Sequence, residues 1–397
     1  MTTVDTSLSF VKQIEKELGN ILEYWSKNTI DCKNGGFIGE IDFSEKKNFD
    51  AEKGSVLYGR ILWTFSAAYP LTKDPAHIKV AKRAFEEITS KFYDPVNKGI
   101  YWSIYPDGKP KDTKNQIYAL AFVIYGLSEY YKVFGVKEAL ELAITLYQSI
   151  QTHSFDHQKG GYFEALTQDW KEIQDMRLSD KDANEKKTMN THLHIVEAFA
   201  NLYTVWKDDE LQRNIVTILE TIDEHFIDKE SWHLKLFFNE DWIEKKDVFS
   251  YGHDIEAAWL LQWSAEVSQN ESLISRYIHY AVKIADVTKE GIDKDGGLWY
   301  EYDPKTQHLV AEKHWWPQAE LWIGYANAYQ LTSKKEYLDI VKKNWEFVNA
   351  QIIDHQNGEW IWGIDNNGEK IKKDKAGFWK CPYHNARACI EIVNRLL

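Results

Sequence analysis

A glycine and aromatic signature returns six times along the chain. It reads NGGFIGEID at 34–42, NKGIYWSIYPDG at 97–108, KGGYFEAL at 159–166, SWHLKLFF at 231–238, DGGLWYEYDP at 295–304 and NGEWIWGID at 357–365. With Gly35, Gly99, Gly160, Trp232, Gly296 and Gly358 as anchors, the spacings are 64, 61, 72, 64 and 62 residues. A period near 60 is the mark of a structural repeat, each unit too small to bury its own apolar face. Between anchors the apolar pattern is helical: a loop, a richly apolar helix, a break, then an amphipathic helix leading to the next anchor. The apolar helices are expected at 55–69, 115–132, 189–206, 252–268, 315–331 and 383–397. The amphipathic partners are expected near 76–92, 136–152, 210–226, 271–289 and 335–352, with 7–28 completing the sixth pair. Breaks such as Pro70 and Asp74–Pro75 separate the members of a pair.

Six helix pairs with six short strand turns predict an all-α (α/α)6 barrel, its apolar helices forming the inner ring and its amphipathic ones the outer. An open solenoid is the alternative; termini that complete one pair favour closure. No Pro, Gly or Ser linker interrupts the chain, so 1–397 reads as one domain. The net charge of −13 without a basic stripe argues against nucleic acid or an anionic membrane as partner. No stretch approaches a membrane span. The first twenty residues lack a basic region followed by an apolar run. With only Cys32, Cys381 and Cys389, the expectation is a cytoplasmic protein, monomeric or weakly dimeric. The 17 tryptophans exceed what a core needs and favour a small-molecule sugar as the bound partner.

Parallel inner helices bring their N-termini to one rim, and each begins with unusual polar residues. These are Tyr58 and Arg60; Asn115 and Tyr118; Asn190, His192 and His194; His253 and Glu256; Trp315, Trp316 and Glu320; and Tyr383, His384 and Arg387. Any one of them is more readily a cap or a satisfied core group, but six aligned helices point to a site. Helical spacing places Asn190, His194 and Glu197 on one face and His192 on the apolar one, so His194 is expected in the cavity and His192 in the structure. Glu256 is the better carboxylate partner for His253, since Asp254 falls beside Ala257 and Ala258. His253 and His384 should face each other obliquely across the hole, each titrating near the ordinary value of about 6.5. Such a pair suits removal of a proton from carbon and its return on the other face, help worth roughly 10²–10⁴ in rate. Arg60 on the same rim can hold the enolate-like charge. No dinucleotide fingerprint, P-loop or zinc motif is present, so neither a cofactor nor a metal is expected. The rival chemistry is an (α/α)6 glycoside hydrolase using Glu256 and Glu320, which would leave the histidines idle. A non-catalytic sugar-binding module would need no opposed histidines.

The segments MNTHLHIVEAFANLY, YGHDIEAAWLL, HWWPQAE and GFWKCPYHNAR carry a resemblance that runs from about Lys16 to the C-terminus. They resemble the N-acylglucosamine 2-epimerase superfamily, and within it the cellobiose 2-epimerases. The resemblance implies an (α/α)6 barrel, no obligatory cofactor, and reversible inversion at C2 of a reducing-end aldose. It further implies that His253 and His384 exchange the C2 proton through a cis-enediolate, while His194 assists ring opening. Arg60 would stabilise the enediolate and Glu256 orient its neighbouring histidine. Tyr118, Asn190, Trp316 and Glu320 would line the reducing-end subsite, and Trp379 would stack on the second sugar. Mannose-acting epimerases and isomerases belong to the same superfamily and are the alternative. The charged loop 168–187 is expected to overhang the mouth and to decide whether a second sugar enters.

Overall fold

The computed structural model describes residues 3–396, so positions 1 and 2 and the last residue of the expected sixth inner helix lie outside it. Among the described residues twelve α-helices follow one another in pairs. The inner members are α2 (Ser55–Thr72), α4 (Ile117–Phe134), α6 (Met189–Val205), α8 (Tyr251–Ser268), α10 (Trp315–Thr332) and α12 (Tyr383–Leu396). The outer members are α1 (Thr3–Asn28), α3 (Pro75–Glu87), α5 (Lys137–His153), α7 (Asp209–Thr221), α9 (Glu271–Thr288) and α11 (Lys335–Gln351). Both α3 and α7 end in a single π turn, at Ile88–Phe92 and Ile222–Phe226.

Composition assigns the two rings. Every residue of α4 from Ile117 to Tyr130 is buried, as befits a helix that is apolar on all sides. The adjoining α5 buries one stripe only, Ala139, Leu142, Ala143, Leu146, Tyr147, Ser149 and Ile150. Glycine lets the inner helices approach closely. A Cβ on Gly59 of α2 would lie 2.8 Å from the Phe122 carbonyl oxygen, and one on Gly126 of α4 would lie 2.5 Å from that of Gly59. Several boundaries differ from expectation by a few residues, and one has a plain cause: α2 runs through Pro70 to Thr72. The missing amide falls in the last turn of the helix, where the proline does not end it.

Short antiparallel strands stitch one repeat to the next at the rim. The residues just before each inner helix pair with the following repeat's hairpin: 53–54 with 103–104, 115–116 with 165–166, and 187–188 with 237–238. The pattern continues with 249–250 against 301–302 and 313–314 against 363–364. The bridge between Ile41 and Ala376 then joins last repeat to first. At the same seam α12 packs against α1 and α2, and Trp25 Nε1 of α1 donates to Glu359 at 2.5 Å. The ring is therefore closed, as the (α/α)6 reading requires. Among the described residues no helix is long and apolar enough to cross a membrane.

Candidate active site

The polar residues at the inner-helix N-termini divide into two sets. One set holds the rim together. The fourth residue of four inner helices accepts a hydrogen bond from the backbone amide of a signature hairpin. These bonds are Phe37 N to Tyr58 Oη at 2.8 Å, Tyr162 N to His192 Nε2 at 2.9 Å, Leu234 N to Asp254 Oδ1 at 2.9 Å and Leu298 N to Gln318 Oε1 at 2.8 Å. Asn115 does the same for Ile100 N at 3.2 Å. His192 therefore accepts at Nε2 and donates from Nδ1 to the Thr188 carbonyl at 2.7 Å, a neutral structural imidazole as expected. Buried lysines add a second tether. Lys53, Lys187 and Lys313, each two positions before an inner helix, pair with Asp31, Asp156 and Asp293 at 3.0, 2.8 and 2.7 Å.

The second set faces a cavity of about 390 Å³ at the centre of the rim. Nine of the ten nominated residues line it: Arg60, Tyr118, Asn190, His194, His253, Glu256, Trp316, Trp379 and His384. Leu178 to Asp182 close over it, so the charged loop does overhang the mouth. Tyr300, His314, Trp362 and Lys373 also line it; their place on hairpins and the 365–382 loop gave no periodic signal.

Four histidines line this cavity; His314 is engaged through Nε2 with Glu312, and the other three have Nδ1 engaged. His384 Nδ1 lies 2.6 Å from Glu320 Oε1, His194 Nδ1 lies 2.7 Å from Glu197 Oε2, and His253 Nδ1 lies 2.8 Å from Ser250 Oγ. Nε2 is thereby left for chemistry in each. The Trp316 indole sits between the two outer rings, its centroid 4.8 Å from His253 and 5.7 Å from His384.

Beneath them Arg387 ties the carboxylates together. It donates to Glu197 Oε1 at 2.5 Å, to Glu256 Oε1 at 2.7 Å and to Glu320 Oε1 at 2.7 Å, and it also bonds Tyr383 Oη. Trp259 Nε1 adds a bond to Glu320 Oε2 at 3.1 Å. Among the described residues, Glu256, Glu320 and His384 form the one grouping with metal-ligand spacing, and the Arg387 guanidinium already bonds both of its carboxylates.

Three expectations are corrected here. Glu256 does not partner His253: it points at Arg387, and the Ser250 hydroxyl, legible only as a cap, holds the imidazole instead. Glu320 does not line the cavity but lies under His384, because its carboxylate is drawn down to Arg387 and Trp259. Nor do His253 and His384 titrate near the ordinary value. Burial pushes both down to about 3, so both rings rest neutral. Burial and the charge of Glu320 push the Glu256 carboxyl up to about 8. Burial also works against ionisation of Glu320, but Arg387 and His384 hold its carboxyl down to about 2.

Arg60 completes the arrangement. Its Nη2 donates to Tyr118 Oη at 2.7 Å and its guanidinium lies 4.1 Å over Phe122. Among the described residues no carboxylate pairs with it, and its Nε has no partner. A buried, unpaired cation beside neutral bases is a receptor for negative charge formed on a bound molecule.

A closed (α/α)6 ring with three histidines presenting Nε2 and a free arginine around one cavity defines an acid–base protein of the helical-toroid class. The chain belongs to the N-acylglucosamine 2-epimerase family, whose model matches residues 36–388. It is 47% identical over 384 residues to the cellobiose 2-epimerase of Bacteroides fragilis, covering 96% of this chain and 98% of that one. It is 35% identical to the cellobiose 2-epimerase of Dictyoglomus turgidum, covering 97% and 98% of the two chains. The solved structure of cellobiose 2-epimerase from Bacillus thermoamylovorans B4167 superposes with a TM-score of 0.92 at 38% identity, covering 98% and 99%.

Proposed function

We propose that the protein is a sugar 2-epimerase that inverts C2 of the reducing-end glucose of β-1,4-disaccharides, converting cellobiose to glucosyl-mannose without a resident cofactor. The observation that carries this reading is the pair of neutral histidines, His253 and His384, on one cavity with Arg60 beside them. His194 assists opening of the sugar ring. One of the pair then takes the C2 proton at Nε2 while the C–H electron pair passes into a cis-enediolate. Arg60 holds the oxygen charge that develops. The other histidine, having first taken a solvent proton on Nε2, delivers it to the opposite face, while the first histidine later returns the C2 proton to solvent. Each ring has to be neutral when it acts as the base and protonated on Nε2 when it acts as the acid, and the enediolate charge beside it favours that protonation. Asn190, whose Oδ1 is buried without a partner, is placed to accept from a sugar hydroxyl.

The hydrolase alternative loses support. Its two carboxylates share one guanidinium, and Glu320 is off the cavity, so the pair cannot flank a glycosidic bond. The test is chromatography of products from cellobiose, lactose, mannose and N-acetylglucosamine, with deuterium at C2 followed in D₂O. Epimerised disaccharide carrying C2 deuterium is expected. Preference for mannose would move the assignment to a mannose epimerase or isomerase, and monosaccharide release from cellobiose would overturn it.

A further inference from the structure

Beside the main cavity lies a second one of about 130 Å³. The two share Asn190, His253 and Tyr300 on their common wall and Leu178, Ser179, Lys181 and Asp182 of the overhanging loop, whereas His384, His194 and Arg60 border only the first. The side cavity has mixed walls, with Glu164, Thr188 and Glu301 set among apolar residues such as Leu236 and Phe237. It also reaches the exposed Lys246, which does not border the main cavity, so it has its own opening to the surface beside the overhanging loop. The histidines differ on their other edge as well. His384 Nδ1 rests on a fully buried carboxylate, that of Glu320, while His253 Nδ1 meets only the Ser250 hydroxyl.

We propose that this side cavity is a water passage through which His253, and not His384, exchanges its proton with solvent while a sugar fills the main cavity. The proposal rests on the two-base epimerase reading. A cavity of this size with several polar walls holds a short file of waters. When His253 takes the C2 proton, the C–H electron pair enters the enediolate and His253 becomes imidazolium. That imidazolium gives a proton to a water in the passage and takes one back, so the exchange needs no other reactant. An imidazolium on His384 has Glu320 behind it and the sugar in front. Its proton returns to C2 or stays until the sugar leaves. Glu164, which accepts from the Thr188 and Thr191 hydroxyls at 2.7 and 2.6 Å, supplies a further titratable group on the passage wall.

The two C2 epimers present their hydrogens to opposite faces, so one is deprotonated by His253 and the other by His384. In D₂O at low conversion, each epimer incubated separately with wild-type enzyme should leave a different residual pool. The epimer deprotonated by His253 returns from the enediolate with deuterium at C2; the other returns with protium. Mass spectrometry of unreacted substrate is expected to show several-fold more label in one pool than in the other. Ala183→Phe, on the passage lining, and independently Lys246→Trp at its mouth, should each lower that label relative to product formed. Equal label in the two residual pools, or an asymmetry unmoved by either variant, would overturn the passage. Products with no C2 deuterium at all would instead defeat the epimerase reading.

Discussion

Glu320 and Ser250 hold the two opposed imidazoles by different means, and the difference should be measurable. The Glu320 carboxylate accepts from His384 Nδ1 and fixes the tautomer that turns Nε2 to the cavity, while stabilising any imidazolium that forms. Ser250 only orients His253. Glu320→Gln is expected to lower kcat by roughly 10²-fold or more with little change in KM, within the range of acid–base help, and Ser250→Ala by only about tenfold, below that range. Steady-state kinetics beside circular dichroism checks this, and the reverse order would show that the ionic partner is not the one that matters. Trp379 carries a different consequence. It lines the main cavity, and its ring centroid is 5.7 Å from that of Trp102 and 5.5 Å from that of Phe378. An indole stacked on a second pyranose contributes about 1–2 kcal/mol. Trp379→Ala should therefore raise KM for cellobiose roughly tenfold while leaving monosaccharide turnover nearly unchanged. Equal losses on both substrates would mean that the ring only supports packing.

Gln318 shows how a helix start organises its hairpin. Its Oε1 accepts from Leu298 N at 2.8 Å and Asn344 Nδ2 at 2.9 Å, and its Nε2 donates to Leu298 O at 2.9 Å and His314 O at 3.0 Å. Gln318→Ala leaves these buried groups unpaired, at a cost of about 1–3 kcal/mol. The unfolding midpoint should fall by several degrees in calorimetry with little change in kcat, since Gln318 does not border the cavity. The helices themselves were legible in the sequence because the signature recurs and the inner members are apolar all round. So were partners within one turn: His194 and Glu197 stand three residues apart and do bond. The cross-helix partners were not legible. Glu320 reaches His384 across 64 positions and Glu197 reaches Arg387 across 190, distances that only the closed ring brings together. Local spacing did separate rim tether from cavity residue, His192 from His194 and Asp254 from Glu256, but not the partner that the cavity carboxylate takes. Asp254 and Glu256 are both acidic near the start of α8, but one holds a hairpin amide and the other Arg387.

For the whole barrel, burial of titratable groups sets how stability depends on pH, and it acts with two signs. Burial pushes His192, His253 and His384 from 6.5 to about 3, so between those values the unfolded chain binds more protons and acid favours it. Burial raises Glu164 from 4.5 to about 7 and Glu256 from 4.5 to about 8, so above 4.5 the folded state holds the extra protons and alkali favours unfolding. From 4.5 to about 6 three histidines are balanced by Glu164, Glu256 and Asp374, whose carboxyl burial raises to about 6, and stability changes little; from about 6 to 6.5 the histidines lead and it rises. Below 4.5 the glutamate offset is gone and the fall steepens. Asp354 adds to it: burial works against its charge, but Lys375 holds it down to about 2. Above 6.5 the three histidines are neutral in both states, the glutamates act alone, and stability should decline toward about 8. Urea unfolding across this range is expected to place the maximum near pH 6.5, and Glu164→Gln should make stability rise more steeply between pH 4.5 and 6.5 while flattening the first part of the decline above it. A maximum at pH 8 or above would mean that the buried glutamates are ionised in the fold. His253 and His384 are then neutral at the pH where the barrel is most stable, so the burial that costs stability in acid is also what keeps both bases ready for substrate.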